Sequence, residues 1–214
     1  SMVDFLVILP GLLTMVPATI DMRGNIYASM GSRISTGLHT GEITPTLRRS
    51  KLVPENVYST LIQTVVMAIA IAFFAMVIGL IISMETIGFM HLFFISLFGS
   101  LIAGIGLTIT TIFISIYSFK KGLNPDNVTT PVITSIGDIL NVLSLFAVGI
   151  FSLSLSREFM NFSSLIIGVL IVVFSIYSLR NSDYGKKIVK DSVAILAFCA
   201  FLGTLAGVLL DDNL

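Results

Sequence analysis

The chain has 214 residues, of which 55% are hydrophobic and 11% are charged, and its formal net charge is zero. Soluble domains usually carry about 25% charged residues, and one of this length cannot bury so much apolar surface in a single core. The composition therefore predicts an all-α, polytopic integral membrane protein whose main partner is membrane lipid. A chain without net positive charge has no electrostatic footprint for nucleic acid, so we expect no nucleic-acid partner.

The first predicted element, residues 3–38, differs from a regular apolar span. Residues 5–20 are apolar but short and contain two prolines, the run 21–25 is polar, and residues 26–38 are rich in small side chains. We predict one crossing made of a broken or kinked helix, since irregular backbone at membrane depth is tolerated where it is buried in protein or lines a wet cavity. The alternative is a short span followed by an interfacial helix.

Five further stretches are apolar over the length of about 20 residues that a helix needs to cross a bilayer. They are residues 57–84, 92–119, 128–155, 159–179 and 188–210. With the first element they make about six crossings in a single transmembrane domain, residues 3–214.

The orientation of the spans is predicted from the basic residues, which are enriched in cytoplasmic loops. They cluster in alternate connecting segments: Arg48, Arg49 and Lys51; Lys120 and Lys121; and Arg180, Lys186 and Lys187. We therefore expect a multi-pass protein of the cell membrane with these loops in the cytoplasm and both termini outside.

The predicted span over residues 128–155 contains one carboxylate, Asp138, near its middle. A carboxylate at that depth costs about 2.5–3.5 kcal/mol on insertion scales and usually faces a pathway or a partner. Thr130 and Thr134 precede Asp138 at intervals of four residues, so the three side chains share one helical face. Asn124 and Asp126 open the same helix at its cytoplasmic end. The pattern predicts a polar track from the cytoplasmic vestibule to a buried anion.

This set of oxygen donors suits a hard divalent cation, because Mg²⁺ prefers oxygen ligands and keeps much of its water shell. Three structural alternatives remain open. Asp138 is a core carboxylate bonded to Ser or Thr; the Thr130 and Thr134 hydroxyls bond back to the preceding turn; or Asp21 pairs with Arg23 as an interfacial anchor. The single cysteine, Cys199, excludes an internal disulfide and a cysteine-based metal cage.

Two segments resemble the membrane domain of MgtE-type Mg²⁺ transporters, most closely its solute-carrier branch of animals and archaea. Residues 124–138 are NPDNVTTPVITSIGD, and residues 17–41 are PATIDMRGNIYASMGSRISTGLHTG. The first contains the P-D-N motif followed by G-D, and the second contains a proline, then G-N, then a small-residue helix. The resemblance implies a homodimer in which the G-N and P-D-N helices of two copies line a Mg²⁺ path.

The resemblance also implies roles for individual residues. Asp138 is the central acidic ligand of a largely hydrated Mg²⁺, which is the transported ion, and no organic cofactor is implied. The other implied metal-site residues are Asn25 and Ser29 on the G-N helix, Thr130 and Thr134 completing the polar ring, Asn124 and Asp126 at the cytoplasmic mouth, and Asp21 as an additional charge near the path.

The chain departs from the family pattern in two respects. The cytoplasmic Mg²⁺-sensing domain of bacterial relatives is absent, so gating by that domain cannot be transferred to this chain. The family's apolar helix before the G-N helix is also missing, and residues 188–210 resemble that helix placed at the other end of the chain. The chain is then either a rearranged single repeat or a part of a longer protein.

The sequence therefore predicts a Mg²⁺ transporter, either a channel or a coupled exchanger, and not an enzyme. Two alternatives are open. One is a transporter of another cation, Na⁺ or Ca²⁺. The other is an intramembrane aspartyl protease that uses Asp21 and Asp138 as a dyad, although the segment Ser135–Asp138 lacks the first glycine of the usual G-x-G-D motif.

Overall fold

A computed structural model describes residues 9–46, 50–84 and 86–211. Six α-helices occupy this part of the chain, which confirms the all-α prediction. They are α1 (Leu12–His39), α2 (Leu52–Ile81), α3 (Phe89–Lys120), α4 (Pro125–Ser152), α5 (Arg157–Leu179) and α6 (Asp183–Asp211).

Five of these helices, α2 to α6, are long and apolar enough to cross a membrane. The prediction of a membrane protein with several membrane-spanning helices is confirmed for these five helices. Helix α1 has 28 residues and is therefore about 42 Å long, but it contains several charged side chains and is not among the five. Its crossing of the membrane stays a prediction.

The predicted break in the first helix is wrong for the residues described, since α1 continues through residues 21–25 without interruption. Its charged and small residues are accommodated by neighbouring helices. Arg23 donates from Nη1 to the Ser100 carbonyl of α3 at 2.7 Å, and Gly24 lies against the Thr134 methyl of α4. Pro17 removes one backbone hydrogen bond but does not end the helix. Residues 3–8 of the predicted element lie outside the described residues.

Helix α4 begins where its sequence signals place it. Gly122 has a φ of 73°, a left-handed conformation that glycine adopts without steric cost, and it ends the turn after α3. The Asn124 side chain accepts a hydrogen bond from the Asp126 backbone N–H at 3.1 Å, and Pro125 occupies the first helical position, where its missing N–H is not needed. The helix therefore starts three residues before the predicted span.

Helix α1 lies at the centre of the bundle and packs against α2, α3, α4 and α6, whereas α5 packs on the outside against α2 and α3. The core side chains of α1 are apolar and fully buried: Leu12, Met15, Ala18, Met30 and Ile34. The outward faces of α5 and α6 carry exposed large apolar side chains, among them Phe162, Leu170, Phe198 and Leu209. Such faces suit contact with lipid tails rather than water.

Two glycines allow α6 to approach α1 closely. A Cβ atom on Gly203 would lie 2.5 Å from the Ala18 Cα, and one on Gly207 would overlap the Thr14 backbone carbonyl. The spacing of four residues is that of the G-x-x-x-G pattern of closely packed membrane helices. Helix α6 therefore packs directly against the G-N helix.

Candidate functional site

A polar face of α4 is open on the surface of the single chain. Thr130, Thr134 and Ser135 are exposed, and Asp138 is half-buried. The Thr134 hydroxyl donates to the Thr130 carbonyl at 3.0 Å, so the back-bonding alternative is confirmed for Thr134. Its oxygen can still accept a hydrogen bond, and the residue is exposed. The predicted stripe from Thr130 to Asp138 is therefore an exposed row of oxygen atoms.

Asp138 has no hydrogen-bond or ion-pair partner among the described residues. It lies 13 residues after Pro125 in a helix of 28 residues, which places it about 20 Å from the first residue of α4. The alternative of a core carboxylate bonded to Ser or Thr finds no such bond in this part of the chain. A carboxylate at this depth without a protein partner is costly unless water or a cation reaches it.

Helices α1 and α4 run antiparallel and are joined along the polar face. Asn141 donates from Nδ2 to Thr19 Oγ1 at 3.0 Å, and Gly24 lies against Thr134. Asp138 lies between these two contacts along α4, and Asp21 lies between them along α1. Asp21 is exposed, and the two carboxylates therefore lie in one layer, at a similar level of these neighbouring helices.

Asp21 and Arg23 do not form the interfacial pair that was left open as an alternative. Arg23 is 5% exposed and points to the Ser100 carbonyl of α3, while Asp21 lies on the exposed side of α1. No ion pair joins them in the structure described. The buried guanidinium instead fastens α1 to α3, a role that the sequence analysis did not predict.

Asn25 and Ser29 of the G-N helix face a different side of α1 from Gly24. Together with Gln63 of α2 and Asp191 of α6 they line a cavity of about 240 Å³. Ser29 Oγ accepts a hydrogen bond from Arg33 Nη1 at 2.7 Å. The two predicted site residues therefore lie beside α6, on the side of α1 that does not contact α4.

Asn124 and Asp126, predicted to mark the cytoplasmic mouth, lie at the start of α4. Asn124 is exposed and its side chain caps the helix, which is a structural role. Asp126 has one carboxylate oxygen, Oδ1, that is buried and has no hydrogen-bond partner in the described part of the chain. Of these two side chains, it is therefore Asp126 that offers a free acceptor.

Helix α2 has a polar side that was not predicted from the sequence. Asn56, Thr60, Gln63 and Thr64 are all buried, and their spacing of three to four residues puts them on one face of the helix. The surrounding stretch was treated as a plain apolar span because it has no charged residue. The spacing of these neutral polar side chains was the signal that identifies an inward-facing polar face.

Residues 16–148 match the MgtE family, described as a divalent cation transporter. This range includes both motifs and runs from α1 almost to the end of α4. The chain belongs to the MgtE divalent cation transporter family. The resemblance predicted from the two motifs is confirmed, and membership of a transporter family agrees with the prediction that the chain is not an enzyme.

Curated relatives of this MgtE-family chain are members of solute carrier family 41. Member 3 of Mus musculus is 30% identical over 141 residues, 64% of this chain and 29% of that protein. Member 2 of Xenopus laevis is 29% identical over 133 residues, 61% of this chain and 24% of that protein. Member 2 of Homo sapiens is 28% identical over 144 residues, 64% of this chain and 25% of that protein. The match thus spans less than a third of each relative, and no solved structure matches the chain.

Proposed function

We propose that this MgtE-family chain transports Mg²⁺ along the open groove between α1 and α4, with Asp138 as the central acidic group. The observation that carries the proposal is the unpartnered, half-buried Asp138 carboxylate on an exposed polar face. Mg²⁺ releases its water reluctantly and is bound through one or two carboxylates. Asp138 attracts the hydrated ion, and the Thr130 and Thr134 oxygens accept hydrogen bonds from its water shell.

The groove also supports a homodimer. A row of exposed polar side chains facing lipid tails is unfavourable, and both helices contribute to it: Asp21, Ser32, Thr130, Thr134 and Ser135 are all exposed. A second copy related by a two-fold axis covers this face with the same face. The two Asp138 carboxylates then flank one path, and their combined charge balances a divalent ion.

The proposal includes the orientation predicted from the basic loops. The segments after α1, α3 and α5 face the cytoplasm, so α4 runs outward and Asp126 lies at the inner mouth of the groove. In this arrangement α1 also crosses the membrane, which brings the number of spans to six. The transmembrane domain then extends over residues 3–214.

Ion competition in liposomes tests the transported ion. Purified chain reconstituted with an internal Mg²⁺ indicator is expected to raise the internal Mg²⁺ signal when Mg²⁺ is added outside. A tenfold excess of Na⁺ should leave the initial rate nearly unchanged, and Ca²⁺ should compete weakly, because it prefers more ligands at longer distances. Uptake of Ca²⁺ or Na⁺ with no Mg²⁺ signal would contradict the proposal and favour the other-cation alternative.

Asn25→Ala tests whether the ion also contacts the side of α1 that faces α6, where Asn25 lies. Such contact predicts that the variant lowers the preference for Mg²⁺ over Ca²⁺ about fivefold. The side chain can make one hydrogen bond to an ion's water shell, and such a bond contributes about 1 kcal/mol. The matched control is Asn161→Ala, since Asn161 is exposed on the peripheral helix α5. The measurement is the ratio of initial uptake rates for the two ions. An Asn25→Ala ratio equal to that of the Asn161→Ala control removes Asn25 from the path.

A further inference from the structure

A second polar cavity lies between α1, α2 and α6, away from the α1–α4 groove. Its volume is about 240 Å³, and its polar lining comes from Asn25, Ser29, Gln63, Asp191 and Ser192. Asp191 and Ser192 belong to α6, which is outside the residues matched to the family. The cavity is therefore built partly by a segment whose function the family membership does not describe.

Gln63 places a buried polar side chain without a protein partner on the wall of the cavity. The residue is 1% exposed, its Nε2 is fully buried, and its carboxamide has no hydrogen-bond partner in the part of the chain that the structure describes. Buried amides are nearly always hydrogen-bonded to protein or to ordered water. Gln63 lines the cavity, so its carboxamide oxygen, which also has no partner among the described residues, can accept a hydrogen bond from an occupant.

Asp191 makes the cavity attractive to cations. It lies eight residues after the start of α6, about 12 Å along the helix, and its side chain has no ion pair among the described residues. Lys187 precedes it by one turn without pairing with it, whereas Lys186 pairs with Asp183 at 3.7 Å. The Asp191 carboxylate is therefore a free negative charge on the cavity wall.

Arg33 is the positive group that borders the cavity. Its Nη1 donates to Ser29 Oγ at 2.7 Å and its Nε to Asn56 Oδ1 at 2.6 Å. These bonds hold the guanidinium beside Ser29, next to the cavity, where its charge is opposite to that of Asp191. A positive charge next to the cavity weakens the attraction for a cation, and a site from which an ion must also leave cannot bind it too tightly.

The size and the donor set fit a hydrated divalent cation. An octahedral Mg²⁺ with six waters, each occupying about 30 Å³, needs about 180 Å³. The outer side of that water shell donates hydrogen bonds, and the oxygen atoms of Asn25, Gln63 and Asp191 can accept them. We propose that this cavity is a second binding site for a hydrated divalent cation, with Asp191 as its carboxylate. The identity of the ion as Mg²⁺ rests on the proposed function, whereas the position of the site does not.

The chain's single cysteine provides a direct probe, because Cys199 also lines the cavity. The full chain in detergent is treated with a cationic methanethiosulfonate reagent, with and without Mg²⁺, and the modification rate of Cys199 is measured. We expect millimolar Mg²⁺ to slow the cationic reagent at least threefold and an anionic reagent much less. In Asp191→Asn, the cationic reagent should react more slowly without Mg²⁺, and the protection by Mg²⁺ should disappear.

Two variants locate the ion within the cavity. Asp183→Asn removes an exposed carboxylate from the same helix and should keep the protection. Asp21 interacts electrostatically with Cys199, so Asp21→Asn should change the basal rate but also keep the protection. Three outcomes would overturn the proposed site. The first is loss of the Mg²⁺ protection in Asp21→Asn but not in Asp191→Asn. The others are full protection in Asp191→Asn and a Cys199 that no water-soluble reagent modifies. Elution volume and thermal unfolding midpoint verify that each variant is folded.

Asp138→Asn separates this inference from the proposed function. If that variant loses Mg²⁺ uptake but keeps Mg²⁺ protection of Cys199, the path and the second site are both supported as independent features. If uptake does not depend on Asp138 while protection still depends on Asp191, the groove proposal fails and the second site stands. If uptake depends on Asp138 and protection does not depend on Asp191, the second site fails alone.

Discussion

Replacing Asp138 by asparagine is expected to reduce Mg²⁺ uptake by the reconstituted protein at least tenfold while leaving the protein folded. A unit charge about 5 Å from a divalent ion contributes about 2–7 kcal/mol for effective dielectric constants between 80 and 20. Much of this is offset by changes in hydration, but a tenfold loss requires only about 1.4 kcal/mol. Asparagine keeps the shape of the side chain, and no described residue loses a hydrogen bond. The initial rate of uptake into liposomes is the measurement.

The matched control for Asp138→Asn is Asp183→Asn. Asp183 is a carboxylate at the start of α6, exposed and paired only with Lys186, and exposed pairs of this kind contribute little to stability. This variant should keep the wild-type rate. Asp138→Glu should keep a part of it, because the charge is retained and only its position changes. A rate for Asp138→Asn equal to that of Asp183→Asn would remove Asp138 from the path.

Among the variants named above and below, replacement of Gly207 by leucine is expected to lower the stability of the folded protein most. The backbone of Thr14 on α1 occupies the position of the new Cβ, and a backbone cannot rotate away as a side chain can. Overpacking a well-packed contact usually costs about 1–3 kcal/mol and sometimes more. We expect a lower midpoint of thermal unfolding in detergent and a smaller fraction of monodisperse protein.

Ala206→Leu provides the comparison for Gly207→Leu. Ala206 is the adjacent residue and is exposed on the outer side of α6, so the same added side chain meets lipid or detergent. Its unfolding midpoint should stay within a degree or two of the wild type, since exposed substitutions usually change stability by about 0.5 kcal/mol or less. Equal midpoints for the two variants would mean that α6 does not contact α1 through Gly207.

Most helices could be predicted because long apolar stretches in a membrane protein have only one way to satisfy their backbone groups. The start of α4 could be predicted from Asn124 and Pro125, because a capping asparagine and a proline at the first position begin a helix without help from other segments. The predicted break in α1 was wrong because the sequence alone shows the polar residues 21–25 but not their partners. Ser100 on α3 accepts the Arg23 hydrogen bond, and that contact joins residues 77 positions apart.

The polar face of α4 could likewise be predicted, since the spacing of Thr130, Thr134 and Asp138 on one helix is a local property. The side that Asn25 and Ser29 face could not, because it depends on which helix packs against each side of α1. The role of Asp191 was hidden for the same reason. It lies in the first turns of an apolar span, where a carboxylate usually contacts water or headgroups, and only the packing of α6 on α1 brings it to a cavity.

The sequence by itself determined that the chain is a membrane protein, that its fold is all-α, and which face of α4 carries Asp138. Composition, span length and periodicity are properties of single segments, so they can be read without knowledge of the packing. The family membership follows from the same local motifs. Only the tertiary structure decided that α1 is the central helix, that Asp21 and Asp138 share a layer, and that α6 closes a second polar cavity. These features depend on close contacts between segments distant in the chain, such as Gly207 against Thr14, and no pattern within a single helix encodes its neighbours.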